Sequence, residues 1–229
     1  MSFQPYVPPE QLMKDRSDYA RKGIARGKSV VALEYANGIL FLAENPSATL
    51  HKISEIYDRI AFAGVGKYSE FEDMRIAGVR HADTRGYTYG REDVKAKALA
   101  GGYSQALATI FTQQMKPYEI EILVGEVCEE SEGDELYLIL FDGSVTDEHG
   151  FVGIGGHSEE LMAHLQKAYK PGWELRTAVK QAVAALSAVE SREIAPNQVE
   201  AAVLDRTRKQ RRKFRRLDNA EIKRMLTGK

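Results

Sequence analysis

The sequence predicts an α+β fold in which two β-sheets lie between two layers of helices. Segments with strand character and segments with helix character occur in groups rather than in strict alternation, which is typical of this class. Residues 29–44 form a predicted hairpin with one almost wholly apolar arm, so this arm needs cover on both faces. Two later helices carry apolar stripes that also require a covering layer. We therefore expect a layered structure with that hairpin at its centre.

Composition places the chain among ordinary globular proteins. Its 229 residues are 43% hydrophobic and 28% charged, and the formal net charge is −1. This balance favours neither nucleic acid nor an anionic membrane as a partner. The single cysteine, Cys128, excludes an internal disulfide and fits a reducing compartment. No signal peptide is recognisable, and no apolar run approaches the roughly 20 residues of a membrane span, so we expect a cytoplasmic protein.

The chain opens with a predicted leader and a helix. Met1 to Pro9 is rich in proline and suits an extended path without regular structure. The helix is expected to begin near Pro9, because proline is tolerated in a first turn, and to end by Gly27. Its apolar residues follow helical spacing, and they face either the same domain or a neighbouring subunit. These residues are Leu12, Met13, Tyr19, Ala20 and Ile24.

The central hairpin comes next. Ser29 to Tyr35 is the first arm, and Asn37-Gly38 favours a type I′ turn, whose positive φ values match the twist of paired strands. Ile39 to Glu44 is the apolar returning arm. We expect this arm to be the central strand of its sheet.

The remaining elements follow from the same periodicities. After Gly64–Lys67 a helix should run to Arg85-Gly86. A second helix, at about 92–115, is rich in alanine and glycine and should therefore pack on more than one side. Further strands are predicted at 50–53, 59–65, 119–124, 135–141, 151–154, 199–204 and 214–217, and further helices around 161–168, 175–189 and 219–226.

Two glycine-rich segments precede helices. Gly64–Lys67 lacks the spacing of a Walker or dinucleotide-binding loop, so we interpret it as a tight turn. Gly153–Gly156 leads to Ser158, a predicted N-cap, and the carboxylates of Glu159 and Glu160 would repel a phosphate. The histidines have no Cys or Asp partner at zinc spacing. We therefore predict no metal site and no cofactor.

Two charged runs stand out: a basic run beside the last predicted strands, and an acidic run between the predicted strands 119–124 and 135–141. Eight of the eleven residues from Arg206 to Arg216 are Lys or Arg, a density that is compatible with nucleic-acid binding. Only one aromatic residue, Phe214, interrupts the run. We favour a solvated edge strand that its charge protects from edge-to-edge pairing. The acidic residues between 126 and 135 are interpreted as a solvated hairpin tip.

Several motifs occur in order along most of the chain. Residues 16–27 read RSDYARKGIARG, and residues 50–59 read LHKISEIYDR. Together with the segments below, they resemble the α-type subunit of the 20S proteasome, in its actinobacterial branch. The resemblance implies the four-layer αββα sandwich of N-terminal-nucleophile hydrolases with an extra N-terminal helix. The other matching segments are 37–38, 43–47, 64–68, 85–87, 141–143 and 151–156.

The resemblance implies a subunit without catalytic activity. Catalytic relatives carry a Thr at the start of the first strand and use its own α-amine as the base. Here that position falls near Lys28 or Ser29, behind the leader and a helix. Glu44 and Lys52 match the acidic and lysine positions of the catalytic set, but they have no nucleophile to serve. No residue is therefore assigned a catalytic role.

The resemblance also implies an assembly. A homo-heptameric ring of α-type subunits caps a ring of β-type subunits and controls the entry of unfolded protein substrates. The expected organisation is a flexible gate segment at 1–8 and a single domain at 9–229. Tyr19 matches a helix tyrosine that holds the open gate in archaeal relatives, with core packing as the alternative role. The gate residues implied in the leader are Phe3, Gln4, Pro5, Tyr6, Val7 and Pro8.

A docking site is the remaining implication of the resemblance. The lysine that corresponds to Lys52 lies in a pocket between adjacent α subunits and pairs with the C-terminal carboxylate of a ring-shaped ATPase activator. Gly66 matches a glycine that lets the incoming tail approach the backbone. Neither a nucleic acid nor a membrane is an expected partner.

Two other functions stay open at the level of sequence. One is an active N-terminal-nucleophile amidohydrolase that is cut before Ser29, which a retained Met1 or Ser2 would exclude. The other is RNA binding through Arg206 to Arg216, which predicts an affinity that falls steeply with salt.

Overall fold

The computed structural model describes residues 8–129 and 133–227. Its helices are α1 Pro9–Ile24, α2 Tyr68–Thr88, α3 Ala96–Gln113, α4 Ser158–Ala168, α5 Leu175–Val189 and α6 Asn219–Thr227. Its strands are β1 Val30–Tyr35, β2 Gly38–Glu44, β3 Ile53–Tyr57, β4 Ile60–Gly66, β5 Ile120–Glu126, β6 Glu135–Ile139, β7 Val145–Glu148, β8 Phe151–Ile154, β9 Val199–Asp205 and β10 Phe214–Arg216.

The strands form two antiparallel sheets of five. The first sheet has the order β10-β9-β2-β1-β8 and the second has the order β3-β4-β5-β6-β7. One apolar core lies between the sheets, a second lies under α4, α5 and α6, and a third lies under α2 and α3. The predicted four-layer αββα sandwich with an extra leading helix is confirmed.

Strand β2 is the centre of the first sheet, as predicted. All seven of its residues are buried. Phe41 points into the core between the sheets, whereas Leu40 and Leu42 point toward α5. The alternation along one strand thus supplies both apolar layers that flank the first sheet.

The prediction of a type I′ turn is wrong. Tyr35 pairs with Gly38, so Ala36 and Asn37 form the loop. In the described parts of the chain, Ser191 is the only non-glycine residue with a positive φ. Ala36 and Asn37 therefore lack the positive φ values that a type I′ turn requires. Gly38 has a φ of 143°, and a Cβ there would lie 1.9 Å from the carbonyl oxygen of Leu204. Both this φ and the close approach of β9 require the glycine, which lies just after the two-residue loop.

Several predicted boundaries also change. Leu50 to Lys52 precede strand β3 instead of forming a strand. Helix α2 continues through Gly86. A Cβ built at Gly86 would lie 2.2 Å from the Tyr57 hydroxyl oxygen, so glycine is needed to leave room for that side chain. A 3-10 turn at Arg91–Asp93 delays the start of α3. Strand β6 ends at Ile139, and β7 was not predicted because its residues are mostly exposed.

Helix α3 exposes Gly101 and Gly102 but buries Ala96 and Ala100. A Cβ added at Gly101 or Gly102 would meet no atom within 4 Å, whereas Leu99, Tyr103 and Leu107 are buried against the second sheet. The helix packs on the second sheet and on α2, which agrees with the prediction of more than one packing side, while its face at Gly101 and Gly102 stays open in the single chain.

The buried centre of the fold gives a first test. Replacing Phe41 by Ala should lower the free energy of unfolding by about 3–5 kcal/mol, because a fully buried aromatic ring is lost and a cavity remains. Urea unfolding of the purified protein measures the change. Tyr87→Ala is the matched control, since Tyr87 is 95% exposed, and its effect should stay within about 0.5 kcal/mol. Equal costs for the two variants would contradict this account of the core.

Candidate functional site

Lys52 lies just before strand β3, beside the start of β1. Its Nζ donates a hydrogen bond to the carbonyl oxygen of Lys28, at 2.7 Å. Burial lowers the pKa of Lys52 to about 8, and the nearby carboxylates of Glu200 and Glu44 offset only part of that effect. A lysine that is partly withdrawn from water in this way is typical of functional sites.

Glu44 is buried at the same end of the sandwich, but it does not pair with Lys52. It forms ion pairs with Arg192 and with Lys28, whose Nζ lies 3.6 Å from Glu44 Oε2. The Lys28 amine also donates to Glu190 Oε2 at 2.6 Å. The acidic and lysine positions of the catalytic set are thus near each other, but the carboxylate is neutralised by other cations.

Ser29 is one of the two residues near which the resemblance places a catalytic nucleophile, the other being Lys28. It is only 1% exposed, and its Oγ has no hydrogen-bond partner among the described residues. Its nitrogen is part of the peptide bond to Lys28, so it offers no α-amine to act as a base. This end of the sandwich therefore lacks both the nucleophile and the base of an N-terminal-nucleophile hydrolase.

Glu200, on β9, holds the chain around Lys52, and sequence reasoning missed it. Its carboxylate accepts hydrogen bonds from the backbone nitrogens of Lys52, at 2.9 Å, and of Ile53, at 3.2 Å. Asn45 Nδ2 and Arg216 Nη1 donate to the same carboxylate at 2.7 and 2.5 Å. The signal available in the sequence was a single acidic residue within an apolar strand. Glu200 fixes the backbone from which the Lys52 side chain extends.

Gly66 ends strand β4 at the same end of the second sheet. Its φ is 104°, and a Cβ there would lie 1.8 Å from the carbonyl oxygen of Glu119. Lys67, which follows, donates its backbone N–H to that same oxygen at 3.0 Å. Lys52 is connected to this region because its carbonyl oxygen accepts from Gly64 at 3.0 Å. The close approach of residue 119 alone is enough to require glycine at position 66.

The predicted gate residues are only partly within the described chain. Phe3, Gln4, Pro5, Tyr6 and Val7 lie outside the described residues, and Pro8 directly precedes α1.

Helix α1 divides its apolar residues between two environments. Ala20 and Ile24 are buried in its own domain, whereas Leu12 and Tyr19 are 47% and 49% exposed. Core packing is therefore not the role of Tyr19.

The basic run is tied to its own chain. Arg206 pairs with Asp134 at 2.5 Å, Arg212 with Glu55 at 2.5 Å, and Arg215 with Glu221 at 2.7 Å. Strand β10, at the end of the run, is an edge strand, as predicted. These pairs withdraw much of the positive charge that an RNA would need.

The acidic run is only partly a solvated tip, because Glu129 is 85% exposed whereas Glu126 and Asp134 are buried. The Glu126 side chain is 2% exposed and accepts hydrogen bonds from Lys95 Nζ, at 3.3 Å, and from the backbone nitrogen of Ala96, at 2.7 Å. Glu126 therefore satisfies the N-terminus of α3, where a negative charge is favourable. Asp134 is similarly buried against Arg206. Glu130 and Glu132 lie outside the described residues.

The N-cap predicted for α4 is also wrong. His157 is the N-cap residue and makes no capping hydrogen bond through its side chain, and Ser158 is the first helical residue.

Across residues 8–129 and 133–227, no group of three or more His, Cys, Asp or Glu residues is arranged to hold a metal ion. In the same part of the chain, no helix has both the length and the apolar character to cross a membrane.

Comparison with known proteins adds independent evidence. Residues 24–204 match the family described as "Proteasome subunit". The chain is 55% identical to the proteasome subunit alpha of Kineococcus radiotolerans over 236 aligned residues, which cover 100% of this chain and 99% of that protein. It is 56% identical to that of a Nocardioides species, with 99% and 90% covered. It is 53% identical to that of Streptomyces coelicolor, with 99% and 91% covered.

The environment of Lys52 predicts a dependence of stability on pH. Lys52 binds its proton more weakly in the folded chain than in the unfolded one, so the unfolded state holds more protons between about pH 8 and 10.5. The free energy of unfolding, relative to that of Lys52→Met, should therefore rise over this interval. The expected rise is on the order of 1–3 kcal/mol, as one pKa unit corresponds to about 1.4 kcal/mol.

Urea unfolding of both proteins at several pH values measures this difference. Lys180→Met provides the control, because Lys180 lies on the exposed face of α5 and should show no such dependence. A difference between the unaltered chain and Lys52→Met that stays constant with pH would contradict the buried position of the Lys52 amine.

Proposed function

We propose that this chain forms the heptameric outer ring of the bacterial 20S core particle, in the cytoplasm. The chain belongs to the proteasome subunit family and is an α-type subunit. In this role it caps a ring of β-type subunits, gates the entry of unfolded proteins, and docks a ring-shaped ATPase. Residues 1–8 serve as the gate segment, and residues 9–229 form a single domain.

The subunit itself is non-catalytic. Its first strand begins behind a helix that packs on the domain, and Ser29, near the position of the nucleophile, is buried and in peptide linkage. The lysine and the carboxylate that would serve a nucleophile are engaged with Lys28 and Arg192 instead. The same scaffold is therefore available for assembly and docking.

Two exposed faces support a ring. The outer face of α1 presents Leu12, Met13 and Tyr19 to solvent in the single chain. The face of α3 around Gly101 and Gly102 is flat and open, which suits the close approach of another helix. Contacts with neighbouring α-type and β-type subunits would cover both.

The gate depends on how α1 is held. Arg16 donates to the carbonyl oxygen of Gln114 at 2.6 Å and to those of Ile110 and Met115 at 3.4 Å, which satisfies the end of α3. Its guanidinium also lies 5.6 Å from the ring centroid of Phe111. This anchor fixes the point from which the leader enters the pore in each subunit.

One observation carries the docking assignment. Within the described residues, the Lys52 amine has a single hydrogen-bond acceptor, the carbonyl oxygen of Lys28, while Glu44 is neutralised by other cations. A lysine ammonium has three donors, so Lys52 retains the capacity to bind the C-terminal carboxylate of an activator. A charge-assisted hydrogen bond of this kind contributes on the order of 1.5–3 kcal/mol.

Deletion of residues 2–8 tests the gate. The truncated subunit, assembled with its β-type partner, should hydrolyse an unfolded protein such as casein several-fold faster than the unaltered particle, because the leader no longer closes the pore. A fluorogenic tripeptide is the companion substrate, since its small size makes it less dependent on the gate. Unchanged casein hydrolysis by a fully assembled truncation would contradict the gate assignment.

Replacement of Lys52 by Ala tests docking. The probe is the C-terminal octapeptide of the ring ATPase from the same organism, and its affinity for the particle should fall about tenfold or more, because the charge-assisted bond is lost. Stimulation of hydrolysis by that ATPase should disappear, while basal tripeptide cleavage should persist. Lys180→Ala, on an exposed helix face, is the control. Undiminished binding to the Lys52→Ala particle would refute the docking assignment.

A further inference from the structure

Four charged residues form a compact network where strand β4 passes into helix α2. Glu70 Oε1 accepts from Lys116 Nζ at 2.6 Å, and Lys67 Nζ lies 3.4 Å from the same oxygen. Glu70 Oε2 accepts from the backbone nitrogen of Glu119 at 2.6 Å. Lys116 Nζ also pairs with Glu119 Oε1 at 2.8 Å. The network joins the start of α2 to the segment that leads into β5.

Glu119 connects this network to the leading helix. A Cβ built on Gly23 of α1 would lie 2.2 Å from Glu119 Oε2, so the carboxylate rests directly against the helix backbone. The Tyr19 hydroxyl lies close enough to the same carboxylate to help lower its pKa, and Lys116 Nζ lies 5.6 Å from the centroid of the Tyr19 ring. The side chain of Glu119 is thus enclosed by Lys116 and by α1.

The charge of Glu119 is maintained in this setting. Burial raises the pKa of Glu119, but hydrogen bonds from Lys116 and Tyr19 outweigh that effect, and the pKa lies below its usual range. The carboxylate is therefore ionised at neutral pH, and it pairs with Lys116 Nζ at 2.8 Å, a charge-assisted contact that is stronger than a neutral one.

The backbone of the same residue contacts the proposed docking site. The Glu119 carbonyl oxygen accepts from Lys67 N at 3.0 Å and is the atom that a side chain at Gly66 would strike. A shift of the Gly66–Lys67 backbone on docking would therefore act directly on Glu119 through this hydrogen bond.

We propose that Glu119 is a positioning residue that couples the docking site at Lys52 and Gly66 to helix α1, and through that helix to the gate segment. This inference rests on the proposed function, because it requires both docking and a gate. Glu119 is suited to this role because one residue contacts the docking site through its backbone and the gate helix through its carboxylate. The coupling depends on the charge of the carboxylate, which holds Lys116 and Tyr19 together.

Glu119→Gln separates coupling from docking. The substitution keeps the size of the side chain and the backbone contacts but removes the charge. In the assembled particle, stimulation by the ring ATPase should fall about fivefold or more, the lower end of typical allosteric couplings. The affinity for the C-terminal octapeptide and the basal tripeptide rate should match those of the unaltered particle.

A second readout follows α1 directly. In the unaltered particle, the octapeptide should change the rate of amide hydrogen exchange within residues 9–24, and in Glu119→Gln this response should be absent. Glu72→Gln is the control, because Glu72 lies on the same helix as Glu70 but pairs locally with Arg75. Lys116→Met is a second coupling variant, which leaves Glu119 in place and should reduce both responses.

The outcomes are distinct. Full stimulation and a normal α1 response in Glu119→Gln would overturn the coupling while docking stands. Loss of octapeptide binding in Glu119→Gln would also overturn it, since Glu119 would then shape the docking site itself. An unaltered particle that does not bind the octapeptide would instead refute the docking assignment and, with it, this inference. If Glu119→Gln does not assemble, an unchanged response in Lys116→Met has the same meaning as the first outcome.

Discussion

The complete burial of strand β2 constrains the rest of the chain. A strand without a solvent-facing side needs a neighbour on each edge and an apolar layer above and below. Strands β1 and β9 supply the edges, the second sheet covers one face, and α5 covers the other. Because Val30 pairs with Ala43, the start of β1 is brought beside Glu44 at the end of β2. The functional end of the sandwich is thus a direct result of how β2 is enclosed.

At that end, the acidic and lysine side chains have separate partners. Arg192 and Lys28 neutralise Glu44, the backbone of Lys28 holds the Lys52 amine, and Ser29 is buried. The chain tolerates a partly desolvated amine here although a buried charge is unfavourable for folding. Retention of such a group fits a role in binding a partner better than a role in stability. In the proposed function, this scaffold serves recognition instead of catalysis.

The layered fold and most elements were predictable because they depend on local periodicity. The alternation in β2 and the apolar stripe of α5 are visible within a few residues of sequence. The roles of Glu126 and Glu200 were not, since their partners at Ala96 and Lys52 are distant in the chain and only tertiary structure brings them together.

The candidate site was predictable only through the family resemblance. Periodicity indicated an ordinary lysine at position 52. Gly38 and Gly66 show the same limit, because the carbonyl groups that require them belong to other strands.

The glycine at position 23 has a consequence for the order of folding. Gly23 lies in the last turn of α1 and adds little helix propensity there, and isolated helices of this length are only marginally stable in water. The 16-residue helix α1 therefore has little autonomy and gains much of its stability from the surface on which Ala20 and Ile24 are buried. The sandwich is therefore expected to fold first, and the leading helix is expected to dock on it last.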